Sequence, residues 1–389
     1  MEHTPELDPS RFTGAGLSTP VVKGWCPGAH RPMMSGDGLV VRVRPRLARL
    51  TRDQVLGLCD LAEQFGNGII DLTNRANLQL RGVSEVNHQP LLEQLATLNL
   101  LDAEPGIEMR RNILVSPLYQ PGDLAARLTQ ALIDRLAELP ALPAKFGFAV
   151  DTGPKRLLAS ASADIRLELG HGGLILRADG AESGRVVQEE DAIDQVIELA
   201  NWFDNARHPD ARRMAQVVGA LPERWQGAAP GPGGPPLLPG DCDLGTVFGA
   251  AFGALPAGAL AHLVRNSGAN ALRVTPWRMF LLEAGAAIPA PDFVSDVNDP
   301  LIKTDACPGA PLCPQAQVET REVARALALR VPGRLHVSGC SKGCARKTPA
   351  DITLVGHDGR FDLVKRGRAG DEPHQRALST ETLMTMDLT

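Results

Sequence analysis

"PGRLHVSGCSKGCARKTPADITLVGHDGRFDLVKRG", residues 332–367, resembles "PAKFGFAVDTGPKRLLASASADIRLELGHGGLILRADG", residues 143–180, with Ala350, Asp351 and Ile352 falling on Ala163, Asp164 and Ile165. Only the later copy has cysteines. In it "RLHVS" reads as a short strand that delivers Cys340 and Cys344 on the following turn, where Gly339 and Gly343 let backbone approach a bulky group. A second repeat surrounds the first. "GLVVRVRPRLARLTRDQVLGLCDLAEQFGNGIIDLTNRANLQLRG", 38–82, reads strand, helix, strand, and "LGTVFGAAFGALPAGALAHLVRNSGANALRVTPWRMFLL", 244–282, reads the same way. Between the halves runs "GAAPGPGGPPLLPG", 227–240, a Pro/Gly-rich linker with no phosphate-binding context. The order of units is therefore A-B-A'-B'.

Composition sets the class. A chain of 389 residues is too long for one ordinary core, and its net charge of -5 argues against a general nucleic-acid binder. The opening "MEHTPELDPSRF" has neither a basic start nor an apolar run, so a cytoplasmic location is the expectation. The charge-free stretch from Leu244 to Val264 is Gly/Ala-rich and broken by Pro256, and it reads as a strand and helix of the repeat rather than a membrane span. In a reducing compartment the seven cysteines are metal ligands, reactive thiols or core residues in preference to disulfides.

Four of the seven cluster. "CPGAPLCPQA", 307–316, places Cys313 before Pro314 and a helical pattern through "QAQVETREVARALAL", so this thiol is expected at a helix N-terminus. The gaps in the two cysteine pairs are five and three residues, whereas structural zinc commonly uses two. Four thiolates are what a four-iron, four-sulfur (4Fe-4S) cluster takes. Cys59 lies in the apolar pattern "DQVLGLCDLAEQF" and reads as core, and Cys242 has no assignment. His171, His336 and His357 read as satisfied core or surface histidines.

The first A unit looks built for a polyanion. "VVRVRPR" puts Arg42 and Arg44 on one strand face, and "NRANLQLRG" puts Arg75, Asn77, Gln79 and Arg81 on one face of another. Guanidinium forks bind carboxylates bidentately. The alternative is a solvated sheet face, which is weaker for both strands together because their counterparts in the second A unit carry far fewer charges.

The pattern C-x5-C followed by G-C-x3-C, with "DLTNRANLQLRGV", resembles the nitrite and sulfite reductase superfamily over about residues 21–367. The resemblance implies a mixed α+β and α/β fold, duplicated with a pseudo-twofold. Its ferredoxin-like halves would be 21–90 and 241–292, its larger domains 100–225 without a cluster and 300–389 with one, and its linker 226–240. It further implies that Cys307, Cys313, Cys340 and Cys344 hold the 4Fe-4S cluster.

Within the superfamily, "GWCPGAHRPMMSGDGLVVRVRP" is similar to the opening of the precorrin-3B synthases. That similarity implies precorrin-3A as substrate, dioxygen as co-substrate, no sirohaem, and an external electron donor, since no flavin or nicotinamide fingerprint is visible. The implied reaction is a monooxygenation at C20 with a γ-lactone closed from the ring A acetate, a step of cobalamin biosynthesis. The reductases carry "KFK" where this chain reads "KFG", keeping Lys145 and placing Gly147 at the second lysine, a loss that suits oxygen and a pendant acetate better than sulfite. Arg42, Arg44, Arg75, Gln79, Arg81 and Lys145 are the expected substrate contacts. The implied chemistry also calls for a mononuclear non-haem iron. His30 and Asp37 in "CPGAHRPMMSGDG" are its candidate ligands, against a purely structural role for that loop. A sirohaem-dependent sulfite or nitrite reductase is the second reading and a simple iron-sulfur electron carrier the third.

Overall fold

The computed structural model describes residues 25–388. The opening segment used for the location argument, the first residues of the 21–90 unit and Thr389 lie outside them. Four five-stranded sheets carry the fold.

The two α/β sheets are copies in detail. Strands Ile113–Val115, Phe148–Asp151 and Ile165–Gly170 run parallel, and Gly173–Ala178 and Arg185–Val186 complete the sheet antiparallel. Strands Thr304–Ala306, Leu335–Ser338, Ala350–His357, Arg360–Gly367 and Gln375–Leu378 repeat that order and those directions. Phe148 pairs with Ile165 and Leu335 with Ile352, so the same interval separates paired residues in both copies. The central strands are buried on both faces, as in a parallel sheet covered on both sides, so even Arg166, Glu168 and His336 lie inside.

The other two sheets exchange strands. The first is built from Met33–Ser35, Gly38–Val43, Leu78–Val83 and Ile69–Leu72, and its fifth strand is Ala254–Pro256 from the second half. The second is built from Gly240–Cys242, Gly245–Gly249, Met279–Glu283 and Ala271–Val274, and is completed by Arg49–Thr51 from the first half. Each crossing strand follows a tight turn in which Leu47 (φ 51°) or Phe252 (φ 59°) adopts the left-handed region. The crossings are pinned by side chains: Arg49 donates to Glu283 at 2.8 and 2.7 Å, and Arg273, fully buried, donates to the same carboxylate. Each crossing strand leads straight into a helix. Arg52–Phe65 starts with a capping box between Thr51 and Gln54, buries Val55, Leu58, Cys59 and Leu61, and packs on Ala257–Asn266 from the other half. The stretch 244–264 is thus strand, turn, strand and helix, and no described helix is long and apolar enough to cross a membrane.

The Pro/Gly segment is not a free tether. Ala228, Pro230 and Gly233 form backbone bridges to Gly184, Gly170 and Arg156 of the first α/β unit.

Candidate functional site

Cys307 leaves the end of strand Thr304–Ala306, and Cys340 and Cys344 leave the neighbouring parallel strand Leu335–Ser338, so the parallel pairing itself brings the cysteine loops together. The Gly339 N–H donates to Cys307 Sγ at 3.2 Å. A Cβ on Gly339 would stand 2.5 Å from the Ala316 side chain, so only glycine allows that approach. Burial pushes the Cys340 thiol up, and the nearby Cys307 and Cys313 sulfurs push the same way; Cys344 is raised by burial and by Cys307 and Cys340. The neighbouring sulfurs that raise Cys340 and Cys344 belong to a soft donor set that a cation would relieve, which fits an iron-sulfur cluster. Cys307 is buried and Cys344 exposed, so the set opens outward at Cys344.

The helix after Cys313 is shorter than its sequence suggests. It spans Arg321–Leu327, and residues 314–320 are irregular, so Cys313 is not at a helix N-terminus. The backbone there is committed elsewhere: Gln317 N–H bonds Gly339 O at 3.0 Å and Ala310 N–H bonds Val318 O at 2.8 Å. Cys59 is core, and burial pushes its thiol up to about 12. His336 is a different case from the satisfied histidine expected: it is fully buried, neither ring nitrogen has a partner, and desolvation lowers it to about 4.

The arginines divide into two groups. Arg44 is engaged at one end of its fork: it forms a buried ion pair with Glu108 through Nη1, burial lowers its guanidinium to about 10, and its Nε has no acceptor. Glu108 also accepts from the Ala29 and His30 N–H groups, which fixes the 26–30 loop. Arg81 is likewise occupied, with Asp37 as a bidentate partner at 3.0 and 2.8 Å and Asp71 at 3.4 Å. Both partners come from distant sequence, which strand alternation does not reveal.

Arg42 and Arg75 remain. Arg42 is held by Gln79 Oε1 at 2.6 Å and lies against Cys26, and Arg75 donates from Nη2 to the Lys145 carbonyl at 2.7 Å. Desolvation lowers both guanidinia, and each feels Cys26. Arg42 Nε, Arg75 Nη1 and Asn77 Nδ2 are buried donors with no acceptor. An unmatched buried donor costs about 1–3 kcal/mol, a cost that an acceptor placed beside these groups would offset. Lys145 itself is exposed, and its backbone rather than its ammonium contacts Arg75. Cys26 and Arg213, which lies near Arg75, went unread in the sequence because neither sits in the alternating pattern.

His30 and Asp37 are engaged separately. His30 Nε2 bonds the Asp102 carbonyl at 2.7 Å, while Asp37 is committed to Arg81 and Asn67. Among the described residues no group of three or more His, Cys, Asp or Glu side chains is arranged to hold a single metal ion. The two candidates do not fit a mononuclear iron centre, and the loop's contacts are structural.

Residues 31–98 match the nitrite/sulfite reductase ferredoxin-like half domain. Across 92% of its length the chain is 32% identical to a precorrin-3B synthase from Sinorhizobium sp, covering 86% of that protein. The chain belongs to the precorrin-3B synthase family. Members of this family are oxidoreductases, and the relation to reductases is more distant: a ferredoxin–nitrite reductase from Synechococcus elongatus is 24% identical over 88% of this chain and 82% of its own. The fold matches that of the NirA protein of Mycobacterium tuberculosis with a TM-score of 0.64 and 18% identity, covering 89% of this precorrin-3B synthase homologue and 79% of NirA.

Proposed function

We propose that the chain is a precorrin-3B synthase that hydroxylates precorrin-3A at C20 and closes the γ-lactone from the ring A acetate. The balance is one dioxygen, two electrons and two protons: one oxygen atom enters the C20 hydroxyl and the other leaves as water. The identity to the Sinorhizobium synthase over nearly the whole chain is the observation that carries this reading.

A 4Fe-4S cluster on Cys307, Cys313, Cys340 and Cys344 would supply electrons one at a time from an external donor. The chain's own residues hold the substrate. Arg42 and Arg75, with Asn77, offer unmatched donors to its carboxylates, and Gln79 orients Arg42. Arg44 and Arg81 act behind them, fixing the loops on either side. No step is assigned to a mononuclear iron, since His30 and Asp37 do not fit one. Turnover of precorrin-3A under labelled dioxygen tests the proposal: one labelled atom is expected in the C20 hydroxyl and none in the lactone ring oxygen. Full product yield under strict anaerobiosis, or label entering only from water, would overturn the dioxygen mechanism, and no turnover of precorrin-3A together with intense Soret absorption would favour a sirohaem reductase.

A further inference from the structure

The arm that carries Cys313 is fastened to the first half of the chain at one atom. The Leu312 carbonyl accepts from the Gly36 N–H at 3.1 Å, the Ser35 hydroxyl at 2.7 Å and Arg81 Nη2 at 2.9 Å. Contact is close enough that a Cβ on Gly36 would fall 2.1 Å from the Pro311 carbonyl oxygen. Behind Arg81 runs a ladder of alternating charge. Asp37 pairs with Arg81, Arg81 with Asp71, and Asp71 with Arg321 of the helix that follows the cysteine arm at 3.0 Å. The side chains of Arg81, Asp37 and Asp71 are 5%, 9% and 9% exposed, so solvent screens them little. Two carboxylates balance two guanidinia.

We propose that Arg81 is a positioning residue for the iron-sulfur cluster, fixing the Leu312 to Cys313 peptide and keeping the ladder neutral beside the cluster; this rests on the reading that the four cysteines hold one. The consequence is electrostatic. Arg81→Gln leaves the ladder with one net negative charge, which opposes adding an electron to the cluster. Asp37→Asn leaves one net positive charge, which favours it. Gln79 lies two residues before Arg81 on the same strand face, so the strand that orients Arg42 also holds the cluster arm.

The test is a potentiometric titration of the purified holoprotein, followed by the electron paramagnetic resonance signal of the reduced cluster. The midpoint potential should move negative in Arg81→Gln and positive in Asp37→Asn. A residue that merely supports the fold would move both the same way or neither, and either result overturns the proposal. Should Arg81→Gln fail to fold, Asp71→Asn joins Asp37→Asn, and both must move positive for the proposal to stand. Wild-type protein that yields no iron-sulfur signal after anaerobic purification and reconstitution overturns the cluster reading itself, whereas a normal wild-type signal with unmoved variants overturns only the role of Arg81.

Discussion

The first and second strand-exchanged sheets place different chemistry at equivalent positions. Val43 pairs with Leu78 and Arg42 with Gln79 in one; Phe248 pairs with Phe280 and Val247 with Leu281 in the other. Each series runs into the same left-handed turn, at Leu47 or Phe252. The polar residues Arg42, Asn77 and Gln79 are therefore matched by Val247, Met279 and Leu281, which form a buried apolar cluster. The α/β sheets differ in the opposite sense. Cys307 follows its strand where Ser116 follows the counterpart, and His336 stands where Ala149 does. The two halves thus differ at equivalent positions: unmatched buried donors gather in the first and the four clustered cysteines in the second.

The cysteines give the sharpest way to break this division. Replacing any one of Cys307, Cys313, Cys340 and Cys344 with Ala should abolish or degrade the cluster, while Cys59→Ala leaves it whole. Mössbauer spectra of the five variants decide the matter, and three of the four ligand variants retaining a full four-iron signal would refute the assignment.

Next in size is Arg44, a residue of the polar face whose work is internal. Arg44→Ala leaves Glu108 buried and unpaired, an error costing about 3–5 kcal/mol. Denaturant unfolding should register that loss. A stability within 1 kcal/mol of wild type, by the same rough scale, would return Arg44 to the ligand face.

His336 tests the second half alone. Its ring is lowered from 6.5 to about 4 by burial, with Asp305 opposing and Arg346, Lys347 and Arg278 assisting. The unfolded chain takes up a proton below pH 6.5 that the folded chain refuses until about pH 4, so stability is full above pH 6.5 and is lost as pH falls. Between pH 7 and 5 the wild type should lose roughly 2 kcal/mol more than His336→Leu. Parallel curves for the two proteins would contradict the neutral buried ring.

The smallest effect belongs to the unmatched donors. A charge-assisted hydrogen bond contributes about 1.5–3 kcal/mol, so Arg75→Ala or Arg42→Met should weaken precorrin-3A binding roughly tenfold or more and spare the cluster. Unchanged dissociation constants in both would remove the anion site from the first half.

Much of this was legible in the residues. The α/β repeat was, because Phe148 and Leu335 stand at the same interval before their partners Ile165 and Ile352, and the four thiols stood out by spacing. The strand exchange was not, since Arg49–Thr51 and Ala254–Pro256 are too short to carry a period. Alternation placed Arg42 and Arg81 on strands, but Arg44 lies just past the end of its strand and Arg75 and Asn77 lie in the turn before Leu78–Val83, and alternation could not say what lay opposite any of them. Glu108 and Asp37 reach Arg44 and Arg81 from 64 and 44 residues away, and that separation decided which arginines are free. The helix expected from Pro314 onward lost its first turns to backbone bonds with the neighbouring cysteine loop, a tertiary demand that local propensity does not record.

The crossed strands also carry a history. Each half lends the other the strand that closes its sheet, so a chain cut between residues 227 and 240 would give two fragments, each exposing an open edge shaped for its counterpart. Such an arrangement is what two identical polypeptides would form by trading strands about a twofold axis, later joined end to end. Once joined, the copies no longer had to remain alike. Each could surrender what its sibling kept.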